Sequence, residues 1–207
     1  GEKFTLIEAT QGNSLLAATT ENEVKLMDCI SMGCRTIFTS DDGRKIRCMK
    51  EGDRGEFWIG TDNGLFIRKE NEAYNGEAFN SESTPASISA DFITSIDKDQ
   101  SGNMWIGTYY TGINIWKNTQ DEMSIFFSNP SDNSIKGDIV RSICSDRYGV
   151  IWFCTEDGWL NRLDPQNNNV RNFQIKDVNN MHALVVDGDN LWICTYGNGV
   201  YLFDINK

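Results

Sequence analysis

Short apolar segments recur along this chain at a nearly constant interval, each closing on a threonine. Gly55–Thr61 reads GEFWIGT, Ser101–Thr108 SGNMWIGT, Gly149–Thr155 GVIWFCT and Asp189–Thr195 DNLWICT. Trp58, Trp105, Trp152 and Trp192 hold one slot, and Leu16 holds it in a degenerate copy, SLLAAT at Ser14–Thr19. The steps between these slots are 42, 47, 47 and 40 residues. Eleven or twelve residues upstream, each repeat opens on another apolar run, at Phe4, Ile46, Ile93, Val140 and Met181. A turn carrying Asp, Gly or Asn separates the two runs, and a third follows: VKLMD, LFIRK, INIWK, LNRLD and VYLFD. Runs this short, bounded by turn residues and without a 3.6-residue period, predict strands throughout. A less regular fourth strand is expected at Arg35–Thr39, Glu77–Ser81, Ser124–Phe127 and Val170–Gln174.

A repeat of 40–47 residues carrying four strands fits one blade of a β-propeller. One four-stranded sheet cannot bury both its faces, whereas sheets stacked around an axis can. The inner strands are accordingly read as apolar on both faces. The expected fold is all-β, a β-propeller of about five four-stranded blades over approximately residues 1–44, 45–91, 92–138, 139–179 and 180–207. Only three residues precede Phe4, and Lys207 falls just past the third strand of the fifth repeat. An incomplete arc of a larger propeller, with two exposed blade faces, is therefore expected.

Eighteen glycines, three prolines and 11% aromatic residues agree with many short strands and tight turns. The formal net charge of −11, with no run of Lys or Arg, argues against nucleic acid or an anionic membrane surface as partner. No stretch of 18 apolar residues is present, and no signal peptide precedes Phe4.

The pattern Asp–x–x–Gly–Asn–x–Trp–Ile–Gly–Thr, preceded by apolar–x–Ser–Ile, is clearest in Ile93–Trp116 and Val140–Leu163. Together with the linker SNPSDNSIKGDIV (Ser128–Val140), it resembles the two-component regulator propeller repeat. The departures are Leu16 in the tryptophan slot, and Cys154 and Cys194 where glycine is usual. The resemblance implies the periplasmic sensor region of a bacterial hybrid two-component histidine kinase. Such sensors detect products of glycan breakdown and signal through a membrane helix to a histidine kinase, which starts a phosphorelay. It further implies a non-catalytic sensor fragment without a cofactor, and a periplasmic address. The partners expected are an oligosaccharide and either the remaining blades of the parent propeller or a second copy. A protein-interaction scaffold and a glycan-degrading propeller enzyme stand as alternatives.

Six cysteines raise the question of metal or disulfide chemistry. Cys154 and Cys194 share the slot of Ala18, Gly60 and Gly107, and Cys48 that of Ser95, Ser142 and Ala183. Those three are read as small core residues. Whether Cys29 and Cys34 pair stays open. No Cys-x-x-Cys exists and His182 is the single histidine, so no metal site is expected. Asp97, Asp99 and Ser101 echo the start of a calcium loop, but Thr108 stands where its glutamate would be, and a plain Asx turn is preferred. No triad, nucleophile elbow or phosphate-binding glycine loop is visible.

In a propeller the loop between second and third strands shares one rim with the entry to the innermost strand. That rim carries Thr20–Glu23, Asp62, Asn63, Tyr109–Thr111, Glu156, Asp157 and Tyr196–Asn198. The innermost entries are Thr5, Arg47, Thr94, Arg141 and His182. Tyr109, Tyr110 and Tyr196 are candidates to stack on sugar faces, with Asp62, Asn63, Glu156, Asp157 and Asn198 bonding hydroxyls. Arg47, Arg141 and His182 would meet a carboxylate or sulfate. The competing reading packs the tyrosines between blades and leaves the charges solvated. Trp116 and Trp159, on or near third strands, are assigned to the core.

Overall fold

The computed structural model describes residues 2–40, 42–69, 77–82, 88–119, 122–131 and 133–206. Asp132 of the linker motif, and residues 1 and 207 at the ends of the outer blade ranges, lie outside them. The first sheet contains β1 (Phe4–Ala9), β2 (Ser14–Thr19), β3 (Glu23–Asp28) and β4 (Cys34–Thr39). The second contains β5 (Ile46–Glu51), β6 (Glu56–Thr61), β7 (Gly64–Lys69) and β8 (Glu77–Phe79). In the third are β9 (Ile93–Lys98), β10 (Met104–Thr108), β11 (Ile113–Lys117) and β12 (Glu122–Phe126). In the fourth are β13 (Val140–Ser145), β14 (Ile151–Thr155), β15 (Trp159–Asp164) and β16 (Asn169–Gln174). The fifth has β17 (Met181–Asp187), β18 (Asn190–Thr195) and β19 (Val200–Asp204). Every sheet is an antiparallel meander in chain order, so each repeat is one propeller blade. The expected fourth strands are present, starting one or two residues early in blades 3 and 4 and ending two early in blade 2.

Strand alternation explains how the blades stack. Trp58 points into the core shared with blade 3, where Ile93 and Ile96 of β9 cover it. Trp105 lies against Val140 and Ile143, Trp152 against Met181 and Leu184, and Leu16 against Ile46 and Met49. The tryptophan slot is thus capped each time by the first and fourth residues of the next innermost strand. That corrects one expectation. Residues of β10 and β14 are buried on both faces, but β5, β9 and β13 bury only their first and fourth positions. Gly60 and Gly107 leave room for this cap: a Cβ there would come within 2.6 Å of Ile93 and 2.7 Å of Val140, respectively. Cys154 fills the same slot and is fully buried, while Cys48 and Cys194 are half-buried. Trp116 packs edge-on against Trp58 and Phe79, with Trp159 half-buried.

Polar side chains stitch neighbouring blades near the axis. The Ile143 amide donates to Ser95 Oγ and the Leu184 amide to Ser142 Oγ, each at 3.0 Å. Lys50 Nζ in blade 2 joins Glu8 of blade 1 at 2.8 Å to Asp97 of blade 3 at 2.9 Å. Asp97 also accepts the Ser145 amide of blade 4 at 2.9 Å. Burial alone would lower the Lys50 pKa, but the Asp97 and Glu8 carboxylates outweigh it and hold the ammonium above its ordinary value.

In blades 3 and 4 the turn before the tryptophan is built around one buried carboxylate. Asp99 accepts the amides of Ser101 and Asn103, the Asn103 side chain and the Trp105 indole N–H, all at 2.9 Å. Asp146 accepts the Tyr148 and Val150 amides at 2.8 and 3.0 Å and the Trp152 indole at 2.8 Å. With Asp99 saturated by N–H donors and Asp97 held by Lys50, this segment is an Asx turn and not a cation loop. Blade 2 has Gly52 at the aspartate position. Glu56, four residues on, folds back to take the Arg54 amide at 2.9 Å and reaches the Trp58 indole at 3.4 Å. A Cβ on Gly52 would collide with that carboxylate at 2.1 Å.

The outer faces of the end blades are uncovered. Trp192 is 39% exposed, against 2% or less for Trp58, Trp105 and Trp152. Val185, Val200 and Leu202 share its face, and Ile7 and Phe4 are exposed on the first blade. The five described blades therefore form an open arc of a β-propeller.

All six cysteines are free thiols, Cys29 and Cys34 being exposed. Burial pushes the Cys154 thiol up to about 12, and raises those of Cys48 and Cys144 as well. At pH 8 iodoacetamide should alkylate Cys29 and Cys34 in the folded protein, and Cys48, Cys144 and Cys154 only after denaturation. Mass spectrometry of the labelled peptides checks this, and a labelled native Cys154 would contradict the packing described.

Candidate ligand-binding rim

The entry to each innermost strand is a β-bulge. In blade 2, Ile46 pairs with Thr61 and Cys48 with Gly60, leaving Arg47 as the extra residue. The same register shift leaves Thr5, Thr94, Arg141 and His182 unpaired in the other blades. A bulge bends the strand and re-aims the side chain of its extra residue. Five equivalent residues are thereby turned out of the ladder at the same end of the stack.

Several of the anticipated residues meet there. Arg47 lies over the Phe92 ring at 5.0 Å, and Phe92 contacts Tyr109 at 5.2 Å between centroids. Tyr109 meets Tyr110 edge-on at 4.3 Å, and Arg141 lies over Tyr109 at 5.6 Å. The hydrogen bond with Tyr110 pushes the Tyr109 phenol up. Arg141 is ion-paired with Glu156, and Arg47 stands 3.8 Å from Asp62. In blade 5, His182 bonds Asn180 at 2.9 Å and faces Tyr196 at 5.8 Å. The result is a band across blades 2 to 4 in which two cations flank adjoining aromatic rings, with a His–Tyr pair beyond it.

Tyr110 is held at φ +80°, where blade 5 has Gly197 at φ +86°. A bulky side chain in this left-handed region costs roughly 1–2 kcal/mol. Tyr110 is also 66% exposed, so no burial offsets that cost. Tyr196 is likewise exposed. The tyrosines are not interblade core.

Three of the anticipated positions also take part in hydrogen bonds of the loops. Asp157 accepts the Thr155 hydroxyl at 2.6 Å, and the Asn63 amide donates to Thr61 Oγ1 at 3.1 Å. Asn198 donates to the Asp177 carbonyl at 3.3 Å. Conversely, Phe92 and Lys45 were not anticipated. Both immediately precede an innermost strand, so the repeat alignment held the signal: each stands beside a bulge residue. Lys45 and Arg47 line a cavity of about 420 Å³ between blades 1 and 2, together with Thr5, Thr19, Thr20 and Asn22.

Residues 87–110 and 134–157 match the family model described as "two component regulator propeller". The segments span the first two strands of blades 3 and 4. No curated protein matches the chain at a significant level. Two crystal structures of B. thetaiotaomicron extracellular domains, each described as a hybrid two component system, share the fold. One has a TM-score of 0.76 at 18% identity, covering 99% of this chain and 28% of that chain. The other has a TM-score of 0.75 at 19% identity, covering 98% of this chain and 29% of that chain. A third, described as a one component system from the same organism, has a TM-score of 0.76 at 18% identity over 99% of this chain and 29% of its own. The chain thus spans less than a third of the length of these structures.

By class, then, this is a β-propeller of tandem four-stranded blades with a polar and aromatic rim. Blades 3 and 4 match the two-component regulator propeller repeat.

Proposed function

We propose that this chain is part of the extracytoplasmic, ligand-recognising propeller of a bacterial hybrid two-component sensor, and that it binds a saccharide without turning it over. The observation that carries the reading is the rim band in which Arg47, Phe92, Tyr109 and Arg141 succeed one another across three blades. The half-buried rings of Phe92 and Tyr109 and the exposed Tyr110 offer apolar surface to sugar rings, and the flanking Asp62 and Glu156 accept hydroxyl hydrogens. The resemblance of the fold to extracellular domains of two component systems supports both the address and the role. Among the described residues no helix is long and apolar enough to cross a membrane. Further blades of the parent propeller are the partners assigned to the uncovered end faces.

Calorimetric titration of the chain against an oligosaccharide panel, with chromatography of the mixtures afterwards, tests this. One member or more should bind and be recovered intact, and Tyr109→Ala should weaken it about five- to tenfold. A silent panel would favour a scaffold, and cleaved sugar an enzyme.

A further inference from the structure

We propose that the cavity between blades 1 and 2 is a subsite for the anionic group of an acidic saccharide, a uronate carboxylate or a sulfate ester. This rests on the saccharide reading and adds the charge of the ligand and its orientation on the rim.

The walls of the cavity bring two cations together with no acid among them. Lys45 and Arg47 face Thr5, Thr19, Thr20 and Asn22, above Leu6 and Ile46. The Lys45 backbone is pinned: its amide donates to Asp62 Oδ1 at 2.9 Å, and its carbonyl accepts the Asp62 amide at 3.1 Å. Its ammonium makes no ion pair among the described residues. Arg47 is held only at 3.8 Å by Asp62, beyond hydrogen-bond length, and its side chain is 41% exposed. Stacked on Phe92, the guanidinium keeps a planar edge of N–H donors for a carboxylate or sulfate.

The rest of the rim distinguishes this cavity. In blade 4 the equivalent Arg141 is already neutralised by Glu156, and blade 5 has His182 in that position. On a chain of net charge −11, an anion is repelled at long range and gains only where cations are concentrated within about 8 Å. Arg47 connects the cavity to Phe92 and then to Tyr109, so the sugar next to the acid would lie on those rings. The saccharide would run from blade 1 towards blade 4, acid end first. Here Thr94 Oγ1 and Arg141 Nε are buried without a hydrogen-bond partner among the described residues, at the far end of the same path.

The test compares matched pairs by calorimetry on the intact chain: an oligogalacturonate with its carboxyl-reduced counterpart, and a sulfated galactan oligosaccharide with its desulfated form. An acidic member should bind at least about tenfold tighter than its neutral match and weaken as NaCl is raised. Lys45→Gln should lower affinity about tenfold for the acidic member alone, whereas Tyr109→Ala should weaken whichever members bind. Amide shifts at Thr5, Thr20 and Asn22 on adding the acidic member locate the group independently of any variant. Equal binding of acidic and neutral members, unchanged affinity in Lys45→Gln, or shifts confined to other blades would overturn the subsite while leaving saccharide recognition standing. Silence across all four compounds would overturn this proposal. Failure of the broader panel as well would remove the reading beneath it.

Discussion

Replacing Asp146 by alanine is expected to destabilise the protein by about 3–5 kcal/mol, although the residue touches no ligand and sits in a turn. Its carboxylate is 4% exposed and receives three N–H donors: two amides and the Trp152 indole. Alanine leaves the Val150 amide and the Trp152 indole buried and unpaired, at roughly 1–3 kcal/mol each, while the part-buried Tyr148 amide finds some relief in water. Calorimetry should show the melting temperature falling by about 10 °C. Blade 2 supplies the control, because its carboxylate comes from Glu56 while Gly52 makes space. Glu56→Ala should be destabilising, and adding Gly52→Asp should recover much of the loss by restoring the arrangement of blades 3 and 4. Gly52→Asp alone should destabilise, because the two carboxylates would compete for one set of donors. If the double variant is no more stable than Glu56→Ala, the two blades do not share one turn mechanism.

The second large effect is a contrast between identical residues in one repeat slot. Trp105→Ala should cost about 3–5 kcal/mol, because the indole is 1% exposed between blades 3 and 4. The change also removes a donor to Asp99. Trp192→Ala should cost about 1 kcal/mol or less, its side chain lying on the uncovered face of blade 5. Urea unfolding of both variants measures the difference. Comparable losses would mean that Trp192 is covered in solution, by a second copy if the loss grows with protein concentration.

Much of the architecture was legible along the chain. The recurrence of Trp58, Trp105, Trp152 and Trp192 marks equivalent strands, and Leu16 is as fully buried as its position in the repeat requires. The preference for an Asx turn at Asp99 agrees with the observed bonding, because an aspartate followed by a glycine closes a turn on its own backbone. The innermost strands depart from the expected burial on both faces. Their burial at first and fourth positions reflects a bulge, and a bulge leaves no reliable mark in a five- or six-residue apolar run. Asn63, Asp157 and Asn198 lie in the loops that the repeat assigns them, where Asp157 bonds Thr155 and Asn198 reaches the Asp177 carbonyl.

The sequence by itself determined the blade repeat, the order of strands and the small-residue slot at Gly60 and Gly107, because each follows from spacing and side-chain volume within one repeat. Only the tertiary structure decided that Arg47 lies on Phe92 and Arg141 on Tyr109, that Lys50 ties together three blades, and that Lys45 lines a cavity with Thr5. These contacts join residues of neighbouring blades. Their distances depend on how one sheet leans on the next, which the interblade core sets and no local pattern records.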